Sequence, residues 1–322
     1  MDNFKTIDQL MSQDYPDQEY IVDRLLPASS ITILSGQSRS FKTYTLLDMA
    51  LCIASGKPLF EQFNTQKTGV LIIDEENGER LLQKRLKQLH AADNLPIYVT
   101  SFGGFHLDDN HVEQVLSFCA ENNIGLVIID ALIRVHGADE NSAKDMSKVF
   151  QKLRAFTKQG VAVLVTQHHR KMGVAGNMGA GNEMRGSSDI LAAVDSHIAV
   201  SRKESFYLTF TQEKQRYDIE LDPFQVKVSV DNDSFNFEYL GVFRKPLNKS
   251  AILLPAVVDL LTEHKELLQG ELLEKLAEHD VTTNEHELRK LLNRWVAEGA
   301  LPKPKKGQGN SKLFWLEDTS DE

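Results

Sequence analysis

The chain has 322 residues and only two cysteines, Cys52 and Cys119. That scarcity excludes a disulfide scaffold. Both cysteines sit in apolar, helix-like stretches, which suits reduced core thiols of a cytosolic protein. Excess positive charge is also missing: Lys+Arg total 36 against Asp+Glu 46, a formal balance of −10. Such a chain is no passive coat for nucleic acid, so any DNA or RNA contact must come from local basic patches. Long apolar runs are absent too. Stretches such as LVIID and VAVLV reach about five residues, far short of a membrane span. The opening segment, MDNFKTIDQLMSQDYPDQEY, has neither a basic n-region nor an apolar h-region, so the expected location is the cytoplasm, away from membranes. What is present is ordinary: 41% hydrophobic and 25% charged residues exclude collagen and wholesale disorder. The length suits about two domains, one large and one small.

Short β-branched apolar runs recur at 31–34, 70–73, 97–100, 126–129 and 161–166. Each reads as a strand buried on both faces. Helical periodicity lies between them, as in Met146, Val149, Phe150, Leu153 and Phe156. Alternating strand and helix predicts an α/β fold with a mainly parallel twisted sheet and right-handed crossovers. After Asp195 the pattern changes. Residues 196–216 and 224–241 read as an antiparallel extension, with Phe206, Leu208 and Phe210 facing one way. Residues 245–249 form a linker. Three helical patterns follow, at about 251–264, 269–279 and 284–298, and a Pro- and Gly-containing hairpin then leads to Phe314-Trp315. Three helices and a hairpin predict a small winged helix-turn-helix domain.

The first strand runs into Gly36-Gln37-Ser38-Arg39-Ser40-Phe41-Lys42-Thr43 and then a helix. This is G-x-x-x-x-G-K-[ST] with Phe41 in place of the last glycine. Backbone N–H groups at a helix N-terminus suit phosphate oxygens. Lys42 would reach the β- and γ-phosphates and Thr43 would ligate Mg²⁺. Phe41 carries a cost, because glycine eases unusual backbone angles. The strand at 70–73 ends in Asp74-Glu75-Glu76-Asn77, where a glutamate, Glu75 or Glu76, can polarise an attacking water. Four apolar residues precede Asp130, in the pattern of a Mg²⁺-holding carboxylate. The strand at 161–166 ends in Gln167-His168-His169-Arg170-Lys171, where a polar side chain can sense the γ-phosphate. A Gly-rich stretch at 172–184 follows, read as a ligand-ordered loop. With no nearby cysteine or spaced third ligand, a zinc site is disfavoured.

Arg185 opens the next helical stretch. Further on, Lys214 and Arg216 form a Lys-x-Arg pair at a strand end. Such a pair can project its cations toward a neighbour's γ-phosphate, making hydrolysis depend on assembly. In the C-terminal module, Leu288, Leu291, Leu292, Trp295 and Val296 share one helix face, and Arg289, Lys290 and Arg294 fall largely on another. Lys303, Lys305, Lys306 and Lys312 surround the hairpin glycines. These cations suit DNA phosphates, although a protein-interaction module fits the same pattern.

Taken in order, EYIVDRLLPASSITILSGQSRSFKT, VLIIDEENGERLLQKRL, LVIIDALIRVHGADEN, LVTQHHRK and RGSSDI resemble the RepA-like, RecA-fold, AAA-type P-loop ATPases of plasmids, phages and mobile elements. These are hexameric replicative helicases related to DnaB, and the match covers roughly residues 19–218. The resemblance implies ATP and Mg²⁺ as ligands and Glu76 as the catalytic carboxylate, followed by Arg85. It implies His168 or His169 as γ-phosphate sensor, the 172–184 stretch as a channel loop for DNA, and Lys214 and Arg216 as the element inserted into a neighbouring site. Arg170, Lys171 and Arg185 join the expected DNA contacts. The expected division is an extension at 1–18, a RecA-like ATPase domain at 19–244, a linker at 245–249, a winged-helix-like domain at 250–317 and an acidic tail at 318–322. The expected function is an ATP-driven hexameric ring acting on single-stranded DNA as a helicase. Double-stranded DNA or a protein partner would meet the winged helix. Two rivals are a DNA-stimulated ATP switch or recombination mediator that does not unwind, and a nucleotide-binding regulator with little turnover.

Overall fold

Strand β3 (Ile31–Gly36) shows why the central strands lack hydrophobic alternation: every one of its residues is buried. Ile31 and Ile33 pack into one apolar layer and Leu34 into the layer on the opposite face. The same division runs through β6 (Ile124–Asp130), with Leu126 and Ile128 on one side and Val127 and Ile129 on the other. Helices cover both faces, so neither side of the strand can be polar.

The computed structural model describes residues 4–140, 142–168, 191–204, 206–244, 249–279, 281, 283–307 and 311–316. The chain divides into two units, Met1–Phe243 and Arg244–Glu322. In the first unit, α1 (Ile7–Met11), β1 (Tyr20–Val22) and β2 (Leu26–Pro27) precede β3. Then come α2 (Lys42–Ser55), β4 (Gly69–Asp74), α3 (Glu79–Gln88), β5 (Ile97–Ser101), α4 (Asp109–Glu121), β6, α5 (Ala143–Lys158) and β7 (Ala162–His168). Strands β8 (Ser196–Glu204), β9 (Tyr207–Gln215), β10 (Phe224–Val230) and β11 (Phe235–Val242) complete it. One nine-stranded sheet has the order β11-β10-β9-β8-β3-β7-β6-β4-β5. Strand β3 is central, with β7 and β8 parallel on either side.

Three details depart from the sequence reading. Strand β8 runs parallel to β3, and the antiparallel extension begins only at β9. Strand β5 is the sheet edge and is only half-buried, because no described strand pairs with its outer side. Phe206 lies before β9 and is exposed, whereas Leu208 and Phe210 are buried. Elsewhere the periodicities match: α5 buries Met146, Val149, Phe150, Leu153 and Phe156, and Ser142 caps it by accepting the Asp145 N–H.

The second unit contains α6 (Lys249–His264), β12 (Glu266–Leu268), α7 (Gln269–Glu278), α8 (Glu285–Ala297), β13 (Lys305–Lys306) and β14 (Lys312–Trp315). Its strands form a small antiparallel sheet in the order β12-β14-β13. Leu288, Leu292 and Trp295 of α8 enter a separate apolar core with Leu253, Val257, Leu272 and Phe314. The Trp295 indole N–H donates to Ser250 Oγ at 2.8 Å, so the ring is buried without an orphaned donor. No described helix is long and apolar enough to cross a membrane.

Candidate functional site

At the carboxyl end of β3 the chain turns through residues 37–41 into α2. Gly36 is required by crowding: an added Cβ would sit 2.5 Å from the Val200 carbonyl oxygen and 2.8 Å from Ser40 Oγ. Beyond it, Arg39 and Phe41 are both left-handed, with φ of 67° and 59°. A left-handed phenylalanine is unfavourable, so its surroundings must hold it. The Arg202 guanidinium lies 4.4 Å above its ring, and Phe235 meets it edge-on at 5.3 Å. Arg202 also donates to the Arg39 carbonyl at 3.0 Å. Tyr44 stacks on Phe235 at 3.8 Å. Side chains from β8 and β11 thus do what a glycine's freedom does elsewhere. Phe41 makes no side-chain cap hydrogen bond to α2, which leaves the first-turn N–H groups facing the loop.

Lys42 is buried, and its ammonium donates to the carbonyls of Gly36 at 2.8 Å and Gln37 at 2.9 Å. Burial lowers its pKa to about 8, although the negative charges of Asp130 and Glu76 pull the other way. Thr43 donates to Asp130 Oδ2 at 2.9 Å, and Thr166 donates to Oδ1 at 2.5 Å. Burial raises the Asp130 pKa, and the two hydroxyl bonds oppose that rise. On the adjacent β4, Asp74 accepts the backbone N–H groups of Glu76 at 2.8 Å and Asn77 at 2.6 Å. This turn aims Glu76 toward His168, whose Nε2 lies 3.4 Å from Glu76 Oε2. The bond to His168 is the main reason the Glu76 pKa is lowered. The other ring nitrogen of His168 is 3.3 Å from the Lys42 ammonium. Glu75 points elsewhere and accepts the Phe105 N–H at 3.0 Å.

A cavity of about 430 Å³ lies among these groups. Ser38, Arg39, Ser40, Phe41, Lys42, Thr43, Glu76, Asp130 and His168 all border it. Gly36 and Gln37 adjoin it through the Lys42 ammonium, which donates to their carbonyls. His169, Arg170, Lys171 and Arg185 lie outside the described residues, as does the 172–184 stretch. Lys214 and Arg216 do not border the cavity. In this single chain both are held by groups of their own subunit. Lys214 donates to the Leu191 carbonyl at 2.5 Å, and Arg216 pairs with Asp195 at 3.0 Å. The reason is electrostatic: a fully buried carboxylate and the last carbonyls of a helical stretch both attract cations.

In the second unit, Arg289, Lys290 and Arg294 lie on the exposed face of α8, and Lys305 and Lys306 are exposed on β13. Three of these cations are already engaged: Arg289 with His286 Nδ1 at 3.3 Å, Arg294 with Glu298 at 2.7 Å, and Lys305 with Glu266 and, 4.5 Å away, the Trp315 ring.

Sequence reasoning missed Arg202 and the structural part of Asp74 and Thr166. Thr166 pairs with Leu34 on the strand beside β3, two residues before His168, so its hydroxyl was within reach. Arg202 depends on the pairing of β8 with β3, and no local pattern marks it. Among the described residues, no group of three His, Cys, Asp or Glu side chains could hold a metal ion. The adjoining Thr43 hydroxyl and Asp130 carboxylate suit a hard cation that also takes phosphate oxygens. The buried ammonium and the uncapped helix start suit the phosphates themselves.

A phosphate-type loop between a central parallel strand and a helix, facing a carboxylate two strands away in the same sheet, defines a P-loop nucleotide-binding domain. Residues 3–174, just over half of the sequence, match the family model described as an AAA domain, and the chain belongs to that family. Among solved structures it is similar in fold to a DnaB-like replicative helicase whose structure was described with its interactions with primase. The TM-score is 0.50 and the identity 13%, over 64% of this chain and 57% of that one. The chain thus spans little more than half the length of that helicase.

Proposed function

We propose that this chain is an ATP-hydrolysing ring motor, most closely of the RepA or DnaB helicase type, that acts on single-stranded DNA. The observation that carries the reading is the convergence of Lys42, the Thr43–Asp130 pair and the Glu76–His168 pair on one cavity. Lys42 holds the β- and γ-phosphates. Thr43 and Asp130 hold Mg²⁺, which when bound supplies neutralising charge to the phosphate oxygens. Glu76 takes a proton from the attacking water as the bond to the γ-phosphorus forms and the β–γ bridging bond breaks, giving ADP and phosphate. His168 touches both Glu76 and Lys42, a position from which it senses the γ-phosphate. Arg216, with Lys214, serves a neighbouring subunit's site. In this reading residues 19–244 are the ATPase domain and 250–317 a winged-helix domain. The helix–strand–helix–helix–hairpin order and the exposed cations of α8 and β13 support DNA contact there.

The test is ATPase activity with and without single-stranded DNA, on protein whose mass is measured by light scattering. DNA should stimulate hydrolysis in a ring-sized species. Shortening the 172–184 stretch should remove the stimulation and spare the basal rate. Mixing Arg216→Ala with Lys42→Ala protein should partly restore activity, because some mixed interfaces pair an intact phosphate loop with an intact arginine. DNA stimulation without strand separation would move the reading to a non-unwinding switch. Negligible turnover despite nucleotide binding would move it to a regulator.

Two further outcomes follow from Lys42 and Phe41. The Lys42 ammonium is fully protonated well below pH 8 and is lost as pH rises through about 8. Bound phosphates favour the charged form, so the Kd for ATP should rise with pH above that value, by up to about tenfold per unit. Titrations with a fluorescent ATP analogue between pH 7 and 9.5 check this; a flat profile would remove Lys42 from phosphate binding. Phe41→Gly relieves the left-handed backbone but deletes the ring held by Arg202 and Phe235. Nucleotide affinity should fall by about three- to tenfold, a loss of order 1 kcal/mol. Unchanged affinity would mean the ring merely stands in for glycine.

A further inference from the structure

Asp195 is the most thoroughly enclosed carboxylate near the Lys-x-Arg element, with 0% side-chain exposure. It follows β7 in the chain and precedes β8, and its backbone N–H donates to the Ile31 carbonyl at the start of β3. Its Oδ2 accepts the Ile31 N–H at 2.9 Å and Arg154 Nη1 at 2.5 Å. Its Oδ1 accepts Arg154 Nη2 at 3.0 Å and pairs with Arg216 Nη1 at 3.0 Å. One carboxylate is therefore shared by two guanidinium groups.

The two are not equivalent. Arg154, on α5, grips both oxygens as a fork and adds a bond to the Ala193 carbonyl at 2.7 Å. Arg216 has one contact to the carboxylate and a long one, 3.3 Å, to the Ala192 carbonyl. Its side chain is 46% exposed against 29% for Arg154. A buried carboxylate must keep a cationic partner. Arg154 alone meets that need, so Arg216 is the member that can leave. Its root stays fixed, because the Arg216 backbone N–H donates to the Asp195 carbonyl at 2.9 Å. Lys214, beside it on the same strand end, adds like-charge repulsion that favours departure.

We propose that Asp195 parks Arg216 on its own subunit and that Arg154, by occupying the same carboxylate, sets how readily Arg216 is released to act on a neighbour. Arg154 and Asp195 are positioning residues for the arginine; neither touches the nucleotide cavity. The inference rests on the trans role of Arg216 proposed above.

The test compares full-length variants at saturating ATP and DNA. Arg154→Gln leaves Arg216 as the carboxylate's remaining arginine and should hold it in place. Turnover should fall about tenfold while the Kd for a fluorescent ATP analogue stays within about twofold. Adding Asp195→Asn removes the charge that holds the arginine, so the double variant should recover to within about threefold of the parent rate. A purely structural role for Arg154 predicts no recovery, since the second change removes still more contacts. Arg154→Lys keeps a cation but loses the fork, and should fall between the parent and Arg154→Gln; it replaces that variant if the glutamine form does not fold. Unchanged turnover in both Arg154 variants, or no recovery in the folded double variant, overturns the parking role. Parent-level turnover in Arg216→Ala overturns the trans reading itself, and an inactive Arg216→Ala beside an unaffected Arg154→Gln overturns only the parking.

Discussion

Replacing Lys42 with alanine is expected to lower ATP turnover by about 10²–10³-fold, the scale of losing one preorganised charge aimed at the transition state. The fold should survive. Lys42 is buried, and keeping an ammonium out of water is itself unfavourable, so its loss removes a penalty along with two hydrogen bonds. The melting temperature separates the two effects: a large drop in rate with little change in melting marks a lost phosphate contact. Turnover near that of the parent would remove the phosphate loop from the chemistry.

Glu76→Gln should separate binding from hydrolysis. The amide keeps the shape of the side chain and loses its basicity, so ATP affinity should stay within about threefold while turnover falls by about 10²–10⁴-fold. His168 keeps the Glu76 pKa below its ordinary value, so the carboxylate is ionised across the neutral range and lost only in acid. A fall in turnover on acidification should therefore begin below the usual glutamate range. Glu75→Gln is the control. Its oxygen serves the Phe105 N–H, and an amide oxygen can still accept that bond. Its turnover should stay within about twofold of the parent. If Glu75→Gln were inactive and Glu76→Gln active, the base would be the other carboxylate.

The β4 end shows what could and could not be read from sequence. An apolar strand running into Asp-Glu-Glu announces a carboxylate at a strand end, but strand alternation fails as soon as the strand stops. Which glutamate faces the cavity is set by Asp74, which accepts two successive N–H groups and turns the chain. That is a three-dimensional choice between neighbours of identical type. The phosphate loop was more legible, because its function depends on local backbone and on residues close in sequence. Its departure from consensus was visible as well; its remedy was not. Arg202 and Phe235 reach Phe41 from strands about 160 and 190 residues further along, distances at which composition carries no signal. The division between parallel and antiparallel strands failed for a related reason. Strand β8 is buried like its parallel neighbours, yet it opens a region of hairpins, and partner choice rather than residue type decides its direction. The Lys-x-Arg pair was located correctly along the strand, but the carboxylate that holds Arg216 comes from a separate segment.

The left-handed phenylalanine changes what the loop can do while it waits for a ligand. Glycine visits positive and negative φ about equally, so a loop built on it samples many shapes and gives up that freedom when phosphate orders it. Phenylalanine has few comfortable shapes and the left-handed one is not among them, so here it is held in place by a guanidinium and an aromatic ring. The rigidity of the loop therefore originates in β8 and β11, strands far from it in sequence. Substitutions on β8 and β11 that never approach a phosphate will alter how firmly this protein grips one, and selection for tighter or looser turnover has a route that leaves every motif residue unchanged.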